Sequence, residues 1–123
     1  MLLNDFFQIT AMQAQADGFR FSLRLNVGHP ILAAHFPGHP VVPGVCQMQM
    51  VCECMQQAMQ CPLFLTGAKN VKYLSPLVPH DPCLLTLTVS RLVRTGQALT
   101  CTALLADEAT TYAKLSLQLG THP

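Results

Sequence analysis

A single helix set among strands is what most constrains this chain. Residues 43 to 61 read as one helix, which Pro62 closes because proline cannot donate to the next turn. Along it Val45, Met48, Cys52, Met55 and Met59 form an apolar stripe, with Gln49, Glu53, Gln56 and Gln60 as a polar stripe beside it. The segments around the helix change period. Phe19, Phe21, Leu23, Leu25 and Val27 alternate with Arg20, Ser22, Arg24 and Asn26, the mark of a half-buried strand. Phe6 to Gln15 reads as a strand of mixed pattern, and Leu65 to Leu74 as another. Three alternating segments follow near 84–93, 97–106 and 110–119, split by Thr95-Gly96 and Asp107-Glu108. Such short connections make them antiparallel neighbours. A strand pair, one buried helix and a run of strands is an α+β layout.

Residues 28 to 40 hold three prolines and two glycines and read as a structured loop. This loop feeds the helix through His35-Phe-Pro-Gly-His-Pro-Val-Val-Pro-Gly-Val45. Pro43 suits a first helical turn, where its missing N–H is not needed. Gly44 leaves the backbone open to close approach. The first N–H groups of the helix then sit beside a histidine. A base next to a polarising donor is the pair that takes a proton from a carbon alpha to a carbonyl.

The stretch resembles the signature of the β-hydroxyacyl-acyl-carrier-protein dehydratases of the hot-dog fold, H-F-P-x-x-P-(I/V)-(M/V)-P-G-V. His35, Phe36, Pro37, Pro40, Val41, Val42, Pro43, Gly44 and Val45 match it. Lys72-Tyr-Leu-Ser-Pro-Leu-Val-Pro-His-Asp81 is similar to the family's later K-F-L-x-P-V-x-P-G-D segment. The resemblance implies one hot-dog domain over residues 1–123, a curved antiparallel sheet wrapped around one central helix. It implies that His35 is the catalytic acid or base and that the Gly44 and Val45 amides hold a thioester carbonyl. Phe36, Met48 and Cys52 become candidates for an acyl tunnel. It also implies a homodimer with active sites between subunits, an acyl carrier protein bearing a phosphopantetheine thioester as partner, and no cofactor.

The chain departs from that family at one position. The family carries Glu or Asp fourteen residues after the histidine; here Gln49 stands there, an amide that neither gives nor takes a proton. One turn later comes Glu53, where the dehydratases carry Gln. This exchange, with the string Val45-Cys-Gln-Met-Gln-Met50, is similar to the dehydratase-like proteins of aryl-polyene and related lipid-like pathways. Of the six acidic residues, Glu53 alone falls in the helix. It is either a solvated or ion-paired helix residue or the acid that protonates the departing hydroxyl, positioned by Gln49. The expected reaction is loss of water from a 3-hydroxyacyl thioester to give the trans-2-enoyl thioester. Two rivals stand beside it: hydrolysis of the thioester, and a non-catalytic acyl-binding or heterodimer partner subunit.

Composition narrows the setting. Half of the residues are hydrophobic and only 11% are charged, so a single small domain is expected to cover apolar surface by oligomerising. A net charge of +1 argues against nucleic acid or an anionic membrane as partner. No secretory signal or membrane span is visible. The six cysteines form no C-x-x-C pair and read as reduced, mostly buried thiols of a cytoplasmic protein. Cys46, at the helix start, is the one thiol placed for nucleophilic work. His29, His35 and His39 lie close together, but the Pro-Gly between the last two spoils helical metal spacing, so no metal is expected.

Overall fold

The computed structural model describes residues 1–34 and 38–122. Its frame is one six-stranded antiparallel sheet, β1 (Phe7–Gln15), β2 (Gly18–Leu25), β3 (Phe64–Tyr73), β4 (Cys83–Thr95), β5 (Ala98–Ala106) and β6 (Thr111–Gly120), in the order β1-β2-β4-β5-β6-β3. Two helices interrupt the strands, α1 (Pro30–Ala34) and α2 (Gly44–Met59).

Alternation decides the register. In β2, Phe21, Leu23 and Leu25 are buried while Arg20 and Arg24 are exposed. These side chains meet their counterparts in β4, with Phe21 opposite Leu87 and Leu23 opposite Leu85. A shift of one residue would turn all of them to water. β4 and β5 close through Gly96, whose φ of 63° suits a tight hairpin. At the next turn Asp107 accepts hydrogen bonds from the Ala109 and Thr110 amides at 2.9 and 2.8 Å, the usual way an aspartate fixes a turn.

The inner face of the sheet buries α2. Met50 to Met55 are buried without a break, so the middle of the helix has no solvent side. The two-stripe expectation needs correction at two positions. Val45 is 67% exposed, and Glu53, assigned to a polar stripe, is 1% exposed. The sheet covers one side of the helix, and the N-terminal segment, through Leu2 and Leu3, covers the side that carries Glu53. Pro43 is the N-cap, and Gln60 ends the helix in the left-handed region with φ 56°, two residues before Pro62.

Two other features differ from the sequence reading. Residues 28–40 were expected to be loop, but Pro30–Ala34 form a helical turn. Proline is favoured at the first helical position, and His29 Nδ1 accepts the Ile31 amide at 3.1 Å. Second, β3 is an edge strand paired only with β6, and leaves Phe64, Val71 and Tyr73 largely exposed. Among the described residues no helix is long and apolar enough to cross a membrane.

Candidate active site

The two sequence motifs meet at the start of α2. The Val42 amide donates to Leu77 O at 2.9 Å, which ties the loop ahead of the helix to the segment after β3. Pro43 is extended, with φ −59° and ψ 144°, and among the described residues no side chain caps the helix. Hydrogen bonding into the helix begins at Cys46 and Gln47, whose amides donate to Pro43 O at 3.0 and 3.2 Å. The Gly44 and Val45 N–H groups stand ahead of those bonds, among the donors that every helix start leaves over. The helix dipole adds positive potential there.

Two side chains shape this turn that sequence reasoning did not single out for the site. Gln47 is buried, and its Nε2 donates to Val42 O at 3.3 Å. Its Oε1 has no partner among the described residues. The Tyr73 ring lies against Gly44, and a Cβ at residue 44 would sit 2.5 Å from its Cζ. With the ring in this place a larger residue at 44 would push it aside, so Gly44 has a packing reason beside its freedom of approach. The one signal for Tyr73 was its place in the second motif. Gln47 gave none, since a polar residue on a helix usually faces water.

Glu53 is fully enclosed and well bonded. Leu2 N donates to both carboxylate oxygens, at 2.9 and 3.0 Å, and Leu3 N donates to Oε1 at 2.7 Å. Gln49 Nε2 donates to Oε2 at 2.9 Å across one helical turn. Every hydrogen bond of the Glu53 side chain among the described residues is one it accepts. The structure thus brings Gln49 and Glu53 together and adds the N-terminal segment to them. Gln49 itself is exposed.

His35 and Phe36 lie outside the described residues. Of the other tunnel candidates, Met48 is half-buried and Cys52 is buried, with its Sγ 3.4 Å from Leu63 O. Burial, and then the charge of Glu53, pushes the Cys52 thiol up to about 11. Burial alone raises Cys46. Both shifts favour the neutral thiol, which is a poor nucleophile. His29 is taken up by Asp5, with Nε2 3.0 Å from Oδ2. Among the described residues no group of side chains has the makings of a metal site.

The arrangement therefore offers free N–H donors at the helix start and, about one and a half to two and a half turns further along, a carboxamide–carboxylate pair. Comparison with known proteins bears on the family and the fold. The model of the ApeI-like family, described as ApeI dehydratase, matches residues 11–112. Among curated relatives, the 3-hydroxyacyl-acyl-carrier-protein dehydratase FabZ of Wolbachia sp. subsp. Drosophila simulans is 26% identical over 102 residues, covering 77% of this chain and 71% of that protein. FabZ of Thermus thermophilus is 34% identical over 85 residues, 58% of this chain and 57% of that protein. The structure of the dehydratase heterocomplex ApeI:P from Xenorhabdus doucetiae is similar with a TM-score of 0.71 and 22% identity, over 91% of this chain and 96% of that one. A hypothetical thioesterase from Streptococcus pneumoniae, solved with coenzyme A, has a TM-score of 0.62 at 13% identity, over 98% of this chain and 91% of that one. The structural likenesses establish the hot-dog fold.

Proposed function

This chain belongs to the ApeI-like dehydratase family, and on that premise we propose that it removes water from a 3-hydroxyacyl thioester carried by an acyl carrier protein. The observation that carries the reading is the uncapped start of α2, with the Gly44 and Val45 amides ahead of the first helical bonds. They are donors for a thioester oxygen as it gains negative charge. In this reading His35 takes the α-proton as neutral imidazole. Carbonyl polarisation stabilises the resulting enolate. The C–O bond at the β-carbon then breaks, the proton joins the departing hydroxyl, and water and the trans-2-enoyl thioester leave.

The geometry favours an orienting role for Glu53 over direct proton donation. Its oxygens accept from Leu2, Leu3 and Gln49, so it fixes the Gln49 carboxamide, which is exposed and able to hold the β-hydroxyl. Imidazolium formed at His35 can itself return the proton, because imidazole works in both directions near neutrality. Direct donation by Glu53 requires that the N-terminal segment release it. Incubation with a 3-hydroxyacyl carrier thioester tests the reaction. Enoyl thioester and its hydration equilibrium are expected; free carboxylic acid as sole product would replace dehydration by thioester hydrolysis.

A second subunit belongs to the proposal. Among the described residues the outer edge of β3 is unpaired and carries Phe64 and Val71, and an exposed apolar edge of this kind calls for a partner strand. We take a second copy as the default occupant. Light scattering at micromolar concentration is expected to give twice the 13.4 kDa chain mass. The heterocomplex formed by the Xenorhabdus relative supports a related hot-dog chain as the alternative partner. A monomer alone that becomes a 1:1 complex on co-expression with such a chain decides for the alternative.

A further inference from the structure

We propose that the hydroxyl of Tyr73 is a third donor to the thioester carbonyl, completing the pocket begun by the Gly44 and Val45 amides; this rests on the dehydratase reading above. The position that a Cβ of residue 44 would fill lies 2.6 Å from the Tyr73 hydroxyl and 2.8 Å from its Cε2. Cα–Cβ bonds of a helix tilt toward its N-terminus. A group standing in that position is therefore beside the first turn's free N–H groups. Backbone pairing holds the tyrosine there. Tyr73 lies opposite Ala113 in β6, and the Leu74 amide donates to Tyr112 O at 2.8 Å.

The hydroxyl is available. Tyr73 is 46% exposed, and among the described residues its hydroxyl makes no hydrogen bond. The chain's other tyrosine differs, since the Tyr112 hydroxyl donates to Asp107. Burial moves the Tyr73 phenol up from its ordinary value, so it remains an O–H donor at neutral pH. A second polar group at the same turn is also incomplete: the buried Gln47 Oε1 lacks a donor among the described residues while its amide props the Val42 carbonyl. Polar groups left open in this way suit a site completed by a bound molecule. Tyr73 forms no covalent bond and loses no proton in this role. It adds one short O–H···O contact that strengthens as the carbonyl becomes an enolate.

The test is Tyr73→Phe, which keeps the ring over Gly44 and removes only the hydroxyl. Turnover of the 3-hydroxyacyl thioester is expected to fall by about 10²-fold, the lower end of the range for losing one oxyanion donor, with KM and thermal melting unchanged. The second readout is the ultraviolet absorption of bound cinnamoyl-pantetheine thioester. A polarised carbonyl shifts that band to the red in the wild-type protein, and the shift is expected to shrink in Tyr73→Phe. Equal shifts and equal turnover in the two proteins overturn the Tyr73 assignment. A wild-type protein that shows the shift, loses it in Tyr73→Phe, and forms no enoyl product upholds Tyr73 as a carbonyl donor and overturns the dehydratase reading. A wild-type protein that does not bind the thioester overturns both.

Discussion

Replacing His35 with alanine is expected to lower turnover of a 3-hydroxyacyl carrier thioester by about 10²–10⁴-fold, the usual contribution of a positioned acid–base group. The expectation rests on the motif that places His35 ahead of Pro43-Gly44, and on the donor-rich helix start which that motif feeds. Stability should change little, because a polar imidazole in a Pro/Gly-rich stretch is expected to add little to a hydrophobic core. The pH profile supplies the sharper measurement. A base must be neutral to accept the α-proton, so wild-type kcat/KM should fall as pH drops through the imidazole range. In His35→Ala that acid limb should vanish along with most of the rate. A variant that keeps both the rate and the limb would remove His35 from the mechanism.

The sheet was legible because its strands alternate. Phe21, Leu23 and Leu25 in β2, and Leu85, Leu87 and Val89 in β4, each announce a buried face by period two. The enclosed helix was legible as an element but not in its burial. Periodicity assumes one wet side, and a helix covered by the sheet and by the N-terminal segment has none over Met50–Met55. That assumption put Val45 inside and Glu53 outside, and both places are reversed. The short α1 was hidden by Gly and Pro, because Pro30 reads as a breaker unless it is recognised as a first helical residue. In the candidate site, the donors at Gly44 and Val45 could be named from the Pro-Gly junction. The partners of Glu53 could not, because they are the main-chain amides of Leu2 and Leu3, and a backbone amide leaves no mark in a sequence. Contact between Tyr73 and Gly44 joins residues far apart in the chain, and tertiary bonds bring it about: the pairing of β3 with β6 and the hydrogen bond from Val42 N to Leu77 O.

Exchange of Glu53 for glutamine separates the two roles open to the only carboxylate of α2. As an anchor, the carboxylate presents acceptors on both oxygens, to Leu2 and Leu3 on one side and to Leu2 and Gln49 on the other. Glutamine has one oxygen acceptor, and its NH₂ would face either the main-chain donors or the NH₂ of Gln49. The Leu2 and Leu3 amides then keep only a neutral acceptor, and the exposed Gln49 carboxamide must turn to meet the new NH₂, so the charge-assisted hydrogen bonds are lost. The expected cost is about 1.5–3 kcal/mol, the scale of a hydrogen bond to a charged group, seen as a lower urea midpoint at unchanged m-value. The amides of Leu2 and Leu3 should also exchange faster with deuterium. Turnover of the folded variant should fall by no more than about tenfold, since only the aim of Gln49 is disturbed. As the proton donor, Glu53 predicts the reverse: full stability, and turnover reduced to background. Gln49→Glu sharpens the outcome, because it brings a second carboxylate to the position that Gln49 Nε2 now occupies, 2.9 Å from Glu53. Like charges this close destabilise each other, and the pair holds a proton between them more readily than either alone. If Gln49→Glu raises turnover well above wild type while Glu53→Gln leaves it intact, the native chain lacks its own acid. A hot-dog partner carrying a carboxylate at the equivalent of position 49 would then be the chain that supplies it.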